Sequence, residues 1–517
     1  MHVLTTPELA SQWLQAQVGM GALHTDSRKV RAGDGFIAWP GAATDGRQHV
    51  QAALDAGARA CLVEAVGADA FGFNDPRIAC YPALKAATGL IAAAYYAQPS
   101  QQIDVVAVTG TNGKTSTAWW IAQALNLLRY KADTTGKVQS DTLSKTEQLA
   151  PYCCGLVGTL GIGTPGNVVF NGLTTPDPVL LQAQFAHMLH TGVSACAIEA
   201  SSIGLVEQRL AGTAIRTAVF TNFTQDHLDY HGNLAAYWQA KRALFDWPGL
   251  QSAVVNLDDD EAAQLVAHCA ARGVQVWTVS LLRTDARLWA QAVQYHDAGM
   301  QFTVCEGGLQ AQVRCAMVGE YNVSNLLGVI AALRSLDVSL LSACEAVSAC
   351  SAVPGRMECI TLPNAPLVAV DYAHTPDALD KVLAALRPMA RARSGQLWCV
   401  FGCGGDRDAS KRPLMAASAE RGADKVVVTS DNPRTEVPES IIGQIVAGLP
   451  TSSRAHVQAD RAAAIDYAVQ HAGVHDLVLI AGKGHEDYQD IAGQKHPFSD
   501  IAQAQAALAR RTGGAFA

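Results

Sequence analysis

No apolar run in this sequence approaches the ~20 residues that a membrane-spanning helix needs, and residues 1–20 lack the basic start and apolar core of a secretory leader. A cytoplasmic protein without membrane insertion is expected. No basic block stands out either: 38 Lys and Arg face 46 Asp and Glu, for a net charge of −8, so nucleic acid is not an expected partner. Paired cysteine spacing is also missing. The 13 cysteines are scattered, odd in number and often set in apolar runs, as at Cys399 and Cys403. They read as reduced core thiols, and neither Cys153-Cys154 nor Cys399/Cys403 has the spacing of a structural zinc site. What is present is globular. With 517 residues, 49% of them apolar, the chain is too long for one core, and about two to four domains are expected.

The stretch Ile103–Ser116, IDVVAVTGTNGKTS, organises the rest. Val105, Val106, Ala107 and Val108 suit a buried strand, Gly110 and Gly113 permit a tight turn, and a helix follows. Backbone N–H groups of such a turn point into a concavity, Lys114 adds a compact positive charge, and the Thr115 hydroxyl can take a magnesium position. Val108 stands where the general phosphate-loop pattern has a glycine, and the bland alternative is a glycine-rich turn that binds nothing. Gly-Lys-Thr behind a β-run favours a phosphate cradle. The form TGTNGKT followed by Ser116 resembles the nucleotide loop of the Mur ligase family. It implies ATP contacts from Gly110, Thr111, Asn112, Gly113, Lys114, Thr115 and Ser116.

Residues 1–99 read as a small α/β domain, with a helix over 6–17, strands at 36–39 and 60–63, and a helix over 50–56 between them. Ser27, Arg28, Asp45 and Arg47 lie in turns, where polar groups hold a ligand or simply serve turn chemistry. Asp-Ser-Arg, Gly-Asp-x-Phe and Asp-Gly-Arg are similar to the family's uridine-binding domain, which implies UDP-sugar contacts at Thr25, Ser27, Ala42, Ala43 and Thr44.

After a break at Gln98–Ser100, residues 100–351 form the expected central domain. A helix is expected over 117–128, an exposed aperiodic insertion over 131–151, and strands near 155–158, 195–200, 217–222, 252–256 and 274–280. That alternation argues for a largely parallel sheet, whose ligands gather beyond the strand carboxyl ends. Glu199, Ser201, Asn222, Asp226 and His227 all fall there. A carboxylate ending a buried strand is costly unless paired or bound to a cation, and Glu199 fits a magnesium ligand. His227 and His231, four apart, admit a zinc-pair reading that Gly232 opposes. Lys241 would by itself be solvated helix surface. The run 221–245, however, resembles the family segment with a carbamylated lysine, implying N6-carboxylysine at Lys241 and magnesium held by Thr115, Glu199, His227 and Lys241. Thr174, Thr175, Ser201, Glu207 and Arg209 resemble the muramoyl-dipeptide contacts. Leu173 and Glu207 depart from that pattern, which has asparagine and glutamine there, and Glu207 places a negative charge near an anionic substrate. Asn322 and Asn325 match the adenine-side helix start.

A second break at Ala352–Arg356 precedes residues 352–517, which read as a Rossmann-like domain with strands at 367–370, 397–401, 425–429 and 477–481 and helices over 377–386, 440–447 and 461–471. GCGGDRD at 402–408 lacks G-x-G-x-x-G and is a weak fingerprint. Resemblance implies that Arg356 reaches the γ-phosphate and that Asp371 and His374 face ribose and base. DNPR, Asp431, Asn432, Pro433 and Arg434, ends in a guanidinium suited to a bidentate carboxylate grip. Gly482 and Glu486 end another strand and supply an acid for an ammonium, and Arg407 offers a second cation. Together these suit a zwitterionic amino acid with a further charged end.

The chain is thus expected to have three α/β domains: a UDP-binding one, a phosphate-loop one with a mostly parallel sheet, and a Rossmann-like one. The resemblance implies a ligase that joins meso-diaminopimelate to UDP-N-acetylmuramoyl-L-alanyl-D-glutamate through an acyl phosphate, with Lys114, Glu199, His227, Lys241 and Arg356 as catalytic groups. A lysine-adding relative would not need Arg434. A folylpolyglutamate-type ligase shares the loop and the lysine, and a nucleotide-gated switch is the alternative from another class. A monomer is expected.

Overall fold

The computed structural model describes residues 2–41, 44–132, 138–139, 150–151, 153–296, 299–450 and 453–513. They form three sheet-centred α/β domains, and the chain divides into two compact units: Met1–Trp289 with Val304–Ala311 and Ser324–Val347, and Ala290–Thr303 with Gln312–Val323 and Ser348–Ala517.

The first unit opens with a parallel sheet in the order His2–Val3, Ile78–Tyr81, Ala60–Glu64, Gly35–Ala38, Leu23–His24. Its three central strands are buried throughout, as expected of parallel strands with both faces covered. Helix Pro7–Val18 begins with Pro7 behind a Thr6 cap whose hydroxyl accepts from Leu9 N at 3.3 Å. Helix Leu84–Tyr95 shares its core through Leu14, Leu62, Leu84 and Ile91. Arg47 differs from its sequence reading. It is buried, paired to Asp45 at 2.7 Å and bonded to the carbonyls of Glu64 and Val66, so it braces its own loop.

The same unit carries six parallel strands in the order Cys154–Gly158, Ala195–Glu199, Asp104–Thr109, Thr217–Phe220, Ser252–Asn256, Gln275–Ser280. The strand earliest in sequence lies inside, with later strands on both sides, and this reversal opens a crevice beyond the carboxyl ends. A hairpin, Gly161–Thr164 with Asn167–Val169, extends one edge. The 98–100 break is a packed joint: Ser100 is buried and its hydroxyl accepts from Ala214 N at 2.9 Å. Part of the expected aperiodic insertion is ordered, since Arg129–Ala132 pairs antiparallel with Val138–Gln139 and with Ala150–Pro151. The rest of 131–151 lies outside the described residues, as do Ala42 and Ala43.

In the second unit the strand order is Glu358–Ile360, Leu367–Asp371, Leu477–Ala481, Leu397–Phe401, Lys425–Val428, His456–Val457, parallel except for the first pair. Helices Pro376–Ala392, Lys411–Gly422 and Pro438–Val446 cover one face, and Arg461–His471 and Asp500–Thr512 the other. Pro376–Ala392 runs six residues past its expected end, through Pro388, because Met389 and Ala390 still face the core. Helix Lys411–Gly422 was not legible, its stripe being interrupted by Arg412 and Pro413.

Candidate active site

Strand Asp104–Thr109 delivers the chain into a turn at Gly110 (φ 147°) and Gly113 (φ 83°), from which helix Lys114–Leu127 starts. Both glycines are sterically required: a Cβ at Gly110 would lie 1.9 Å from Thr221 Oγ1, and one at Gly113 2.5 Å from Asn325 Oδ1. The glycine missing at position 108 has no bearing on this turn, because Val108 is still inside the strand and fully buried. The chain just beyond the adjacent strand Thr217–Phe220 holds the loop. Thr221 Oγ1 donates to Asn112 O at 2.6 Å, Asn112 N donates to Asn222 Oδ1 at 3.0 Å, and Thr111 Oγ1 donates to Thr224 O at 3.0 Å. Lys114 Nζ curls over the turn onto the carbonyls of Gly110 and Thr111, at 2.9 and 2.8 Å.

Glu199 ends the adjacent strand at 1% exposure. An unpaired carboxylate there would cost several kcal/mol, and three donors offset this. Thr115 Oγ1 donates to Oε2 at 2.9 Å, Thr159 N to Oε1 at 2.7 Å and Thr159 Oγ1 to Oε2 at 3.2 Å. Thr115 and Glu199 form an all-oxygen pair beside the phosphate turn, which fits magnesium; such an ion keeps few protein ligands and takes phosphate and water for the rest. Among the described residues no group of three or more His, Cys, Asp or Glu is placed to hold a metal. Thr159 was missed from sequence, although a threonine just past a buried strand end is a legible signal.

Lys241, on helix Leu234–Arg242, is 1% exposed, contrary to the ordinary expectation for a helix lysine. Its Nζ donates to Gly110 O at 2.6 Å and lies 4.3 Å from the Tyr237 ring centroid. Burial, reinforced by the nearby Lys114 charge, pushes its pKa well below the ordinary 10.5. His227 approaches the same Tyr237 ring, 6.0 Å between centroids, and takes a left-handed φ of 51°, a strained setting that concentrates at working sites. His231 does not form a zinc pair with it: its Nε2 is 3.0 Å from Ser202 Oγ.

The residues expected at the dipeptide form one cluster. Thr174 Oγ1 is 3.1 Å from Thr159 Oγ1, and Thr175 Oγ1 donates to Glu199 O at 2.7 Å and lies 3.0 Å from Ser201 Oγ. Ser201 caps helix Ser202–Val206, and Arg209 Nη1 donates to Thr175 O at 3.1 Å. Glu207 is not a bare charge: Lys85 Nζ is 2.6 Å from Oε2, and Tyr230 OH donates to Oε1 at 2.6 Å. Leu173 is solvent-facing, its N–H bonded to Asn171 Oδ1. Ser27 begins a short turn capped by Asp26, while Thr25 is half-buried and Thr44 exposed.

In the second unit, Asp371 is buried and accepts from Met357 N at 2.7 Å and Ala373 N at 2.8 Å. Tyr372 gathers Arg356, 4.7 Å from its ring centroid, His374 at 4.7 Å and His485 at 5.3 Å. Arg356 Nε and His485 Nδ1 are both buried without a partner. Burial and the Arg356 charge hold His485 down to a pKa of about 4. Asn322 Nδ2 donates to Val318 O at 2.7 Å.

The strand-end loops of this unit converge. Asn432 Nδ2 donates to Glu486 Oε2 at 2.8 Å, and Lys483 Nζ donates to Asn432 Oδ1 at 2.8 Å and Glu486 Oε2 at 3.2 Å. Asp431 Oδ1 is 3.9 Å from Lys483 Nζ, and Gly482 lies against Asp431 at φ 123°. Arg434 has a left-handed φ of 52°, its backbone tied to Asp490 and Ala492 and its Nη1 donating to Gly405 O at 2.7 Å. Arg407 is exposed, and its Nη1 donates to Asp406 O at 3.4 Å. Two fully buried cations that brace these loops were missed because such residues read as surface. Lys483 is one; the other, Arg461, pairs with Asp500 at 2.7 Å and donates to Ser430 O and Ala481 O, the residues preceding Asp431 and Gly482.

Three family descriptions match along the chain: "Mur ligase family, catalytic domain" at residues 21–95, "Mur ligase middle domain" at 108–333 and "Mur ligase, glutamate ligase domain" at 355–484. A protein of Acidovorax sp., named UDP-N-acetylmuramoyl-L-alanyl-D-glutamate--2,6-diaminopimelate ligase, is 56% identical over 513 residues, 99% of each chain. The chain belongs to the Mur ligase family. A Pseudomonas aeruginosa protein of the same name is 44% identical over 487 residues, 94% of each. A solved structure bearing that name superposes with a TM-score of 0.67 at 34% identity, covering 95% of each chain. As a Mur ligase the chain is an ATP- and Mg2+-dependent ligase of peptidoglycan synthesis. No helix among the described residues is long and apolar enough to cross a membrane.

Proposed function

We propose that this Mur ligase joins meso-diaminopimelate to the D-glutamyl γ-carboxylate of UDP-N-acetylmuramoyl-L-alanyl-D-glutamate, giving ADP, phosphate and the UDP-linked tripeptide. The observation that carries the choice of amino acid is the loop Asp431–Arg434: its Asp431 and Asn432 join Lys483 and Glu486 in one network, and it ends in the Arg434 guanidinium, held at Gly405 O. Carboxylates there suit an ammonium group, and the guanidinium suits a distal carboxylate through two parallel hydrogen bonds. Lysine has no such distal group.

In the first step a γ-carboxylate oxygen attacks the γ-phosphorus of ATP, the bond to the bridging oxygen breaks, and ADP leaves. In the second the amine attacks the acyl carbon, phosphate departs and the nitrogen loses a proton. Lys114 and Arg356 spread the charge of the transferring group, and the unpartnered Arg356 Nε supports this role. Thr115 and Glu199 would hold magnesium, which would supply positive charge to offset that of the phosphates. Neutral Lys241 adds to carbon dioxide, releasing a proton and leaving a two-oxygen anion that, with His227, suits a second hard cation. Asn325, Asp371 and His374 serve the nucleoside; Thr25, Ser27, Ala42–Thr44, Thr174, Thr175, Ser201, Glu207 and Arg209 hold the UDP-dipeptide; Arg407, Asp431–Arg434, Gly482 and Glu486 hold diaminopimelate. The work divides as 1–99, 100–351 and 352–517. We place the enzyme in the cytoplasm, which suits its 13 free thiols.

Phosphate release tests the reading against that of a nucleotide switch. With ATP and the UDP-dipeptide present, turnover should require meso-diaminopimelate; hydrolysis indifferent to the amino acid contradicts a ligase.

A further inference from the structure

Glu207 sits at the end of helix Ser202–Val206, whose start is capped by Ser201, and two residues before Arg209. Three side chains assigned to the UDP-dipeptide therefore come from one turn of chain. An unscreened carboxylate in that turn would repel a substrate carrying a pyrophosphate and carboxylates. Its partner comes from a different domain. Lys85 lies in the first turn of helix Leu84–Tyr95, and its Nζ is 2.6 Å from Glu207 Oε2. One turn further along the same face, Gly89 touches the chain just beyond Arg209: a Cβ there would lie 2.2 Å from Ala211 O. The helix is thus seated backbone to backbone on this loop, and Lys85 is held within reach by the seating rather than by a chance surface encounter. Tyr230 OH bonds the second oxygen of Glu207, at 2.6 Å. Hydrogen bonds from Lys85 and then Tyr230 hold the Glu207 carboxyl below its usual range, so it is ionised and needs its cation.

We infer that Lys85 is a positioning and specificity residue for the UDP-muramoyl-dipeptide: it neutralises Glu207, fixes the Ser201–Arg209 turn, and leaves the Arg209 charge to the anionic substrate. Lys85 touches no reacting atom. This inference rests on the UDP-dipeptide reading of that turn.

The test compares unaltered enzyme, Lys85→Met, Lys85→Arg and the double variant Lys85→Met/Glu207→Gln, with ATP and meso-diaminopimelate saturating. Lys85→Met should raise KM for the UDP-dipeptide about tenfold, the scale of one uncompensated like charge, with kcat within about twofold. The defect should shrink as ionic strength rises, because repulsion is screened. Lys85→Arg should keep the unaltered KM. The double variant should have a lower KM than Lys85→Met, since the repelling charge is gone, and any remaining gap to the unaltered enzyme measures the contact that Glu207 itself makes. An unchanged KM in Lys85→Met, or a double variant as impaired as the single one, overturns the inference. Failure of the unaltered enzyme to use the UDP-dipeptide at all would overturn the functional reading instead.

Discussion

Lys241 is the residue at which sequence and burial disagree most. Its neighbours on the helix include the exposed Gln239 and the half-buried Arg242, yet its amine is sealed under the phosphate turn. Burial lowers the pKa, so the folded chain carries a neutral amine where the unfolded chain carries an ammonium. Between the lowered value and 10.5 the unfolded chain binds the extra proton, and this group's contribution to native stability therefore rises with pH through that window. For activity the consequence runs the same way: protonation on the acid side removes the nucleophile that carbon dioxide needs. Lys241→Arg should lower kcat/KM at least about 100-fold, on the scale of a lost metal ligand, because a guanidinium stays charged and forms no carbamate. Mass spectrometry of the native protein should find the added carboxyl group on Lys241 in the unaltered chain. Unimpaired turnover in Lys241→Arg would exclude the carbamate.

The phosphate turn, as an element, works because Thr221 and Asn222 on one side and Asn325 on the other leave no room for a side chain. At Gly110 a methyl group meets Thr221 Oγ1 at 1.9 Å while φ is 147°. Gly110→Ala should lose about 2–3 kcal/mol of stability and abolish ATP binding, read by denaturant unfolding and by nucleotide titration; normal ATP affinity in that variant would contradict the role given to the turn. This element was legible in sequence because its chemistry is local. An apolar run, two glycines and Gly-Lys-Thr describe a strand, a turn and a helix start without help from elsewhere. Where tertiary packing decides, reading stopped short. Helix Lys411–Gly422 buries Arg412 by pairing it with Glu436 at 2.7 Å, which reverses the usual meaning of an arginine in the pattern. Arg461 and Lys483 are buried for the same reason: Arg461 pairs with Asp500, 39 residues away, and Lys483 bonds Asn432, 51 residues away, beside the nearby Glu486. Glu207 looked unfavourable until Lys85, remote in sequence, was found beside it.

At the scale of the whole molecule, each compact unit carries groups of one kind: phosphate turn, Glu199, Lys241 and the dipeptide cluster in the first, Arg356, Arg434 and the amino-acid loops in the second. The family follows from the chain's full-length similarity, and the proposed reading makes the choice of amino acid depend on the Arg434 guanidinium. The direct measurement is product formation from the UDP-muramoyl-dipeptide with meso-diaminopimelate, lysine and ornithine in competition, for unaltered enzyme and for Arg434→Ala. The account predicts that the unaltered enzyme incorporates diaminopimelate almost alone, and that Arg434→Ala loses at least about 100-fold of that preference, as expected when a charge-assisted bidentate pair is removed. Discrimination as sharp in Arg434→Ala as in the unaltered enzyme would contradict it.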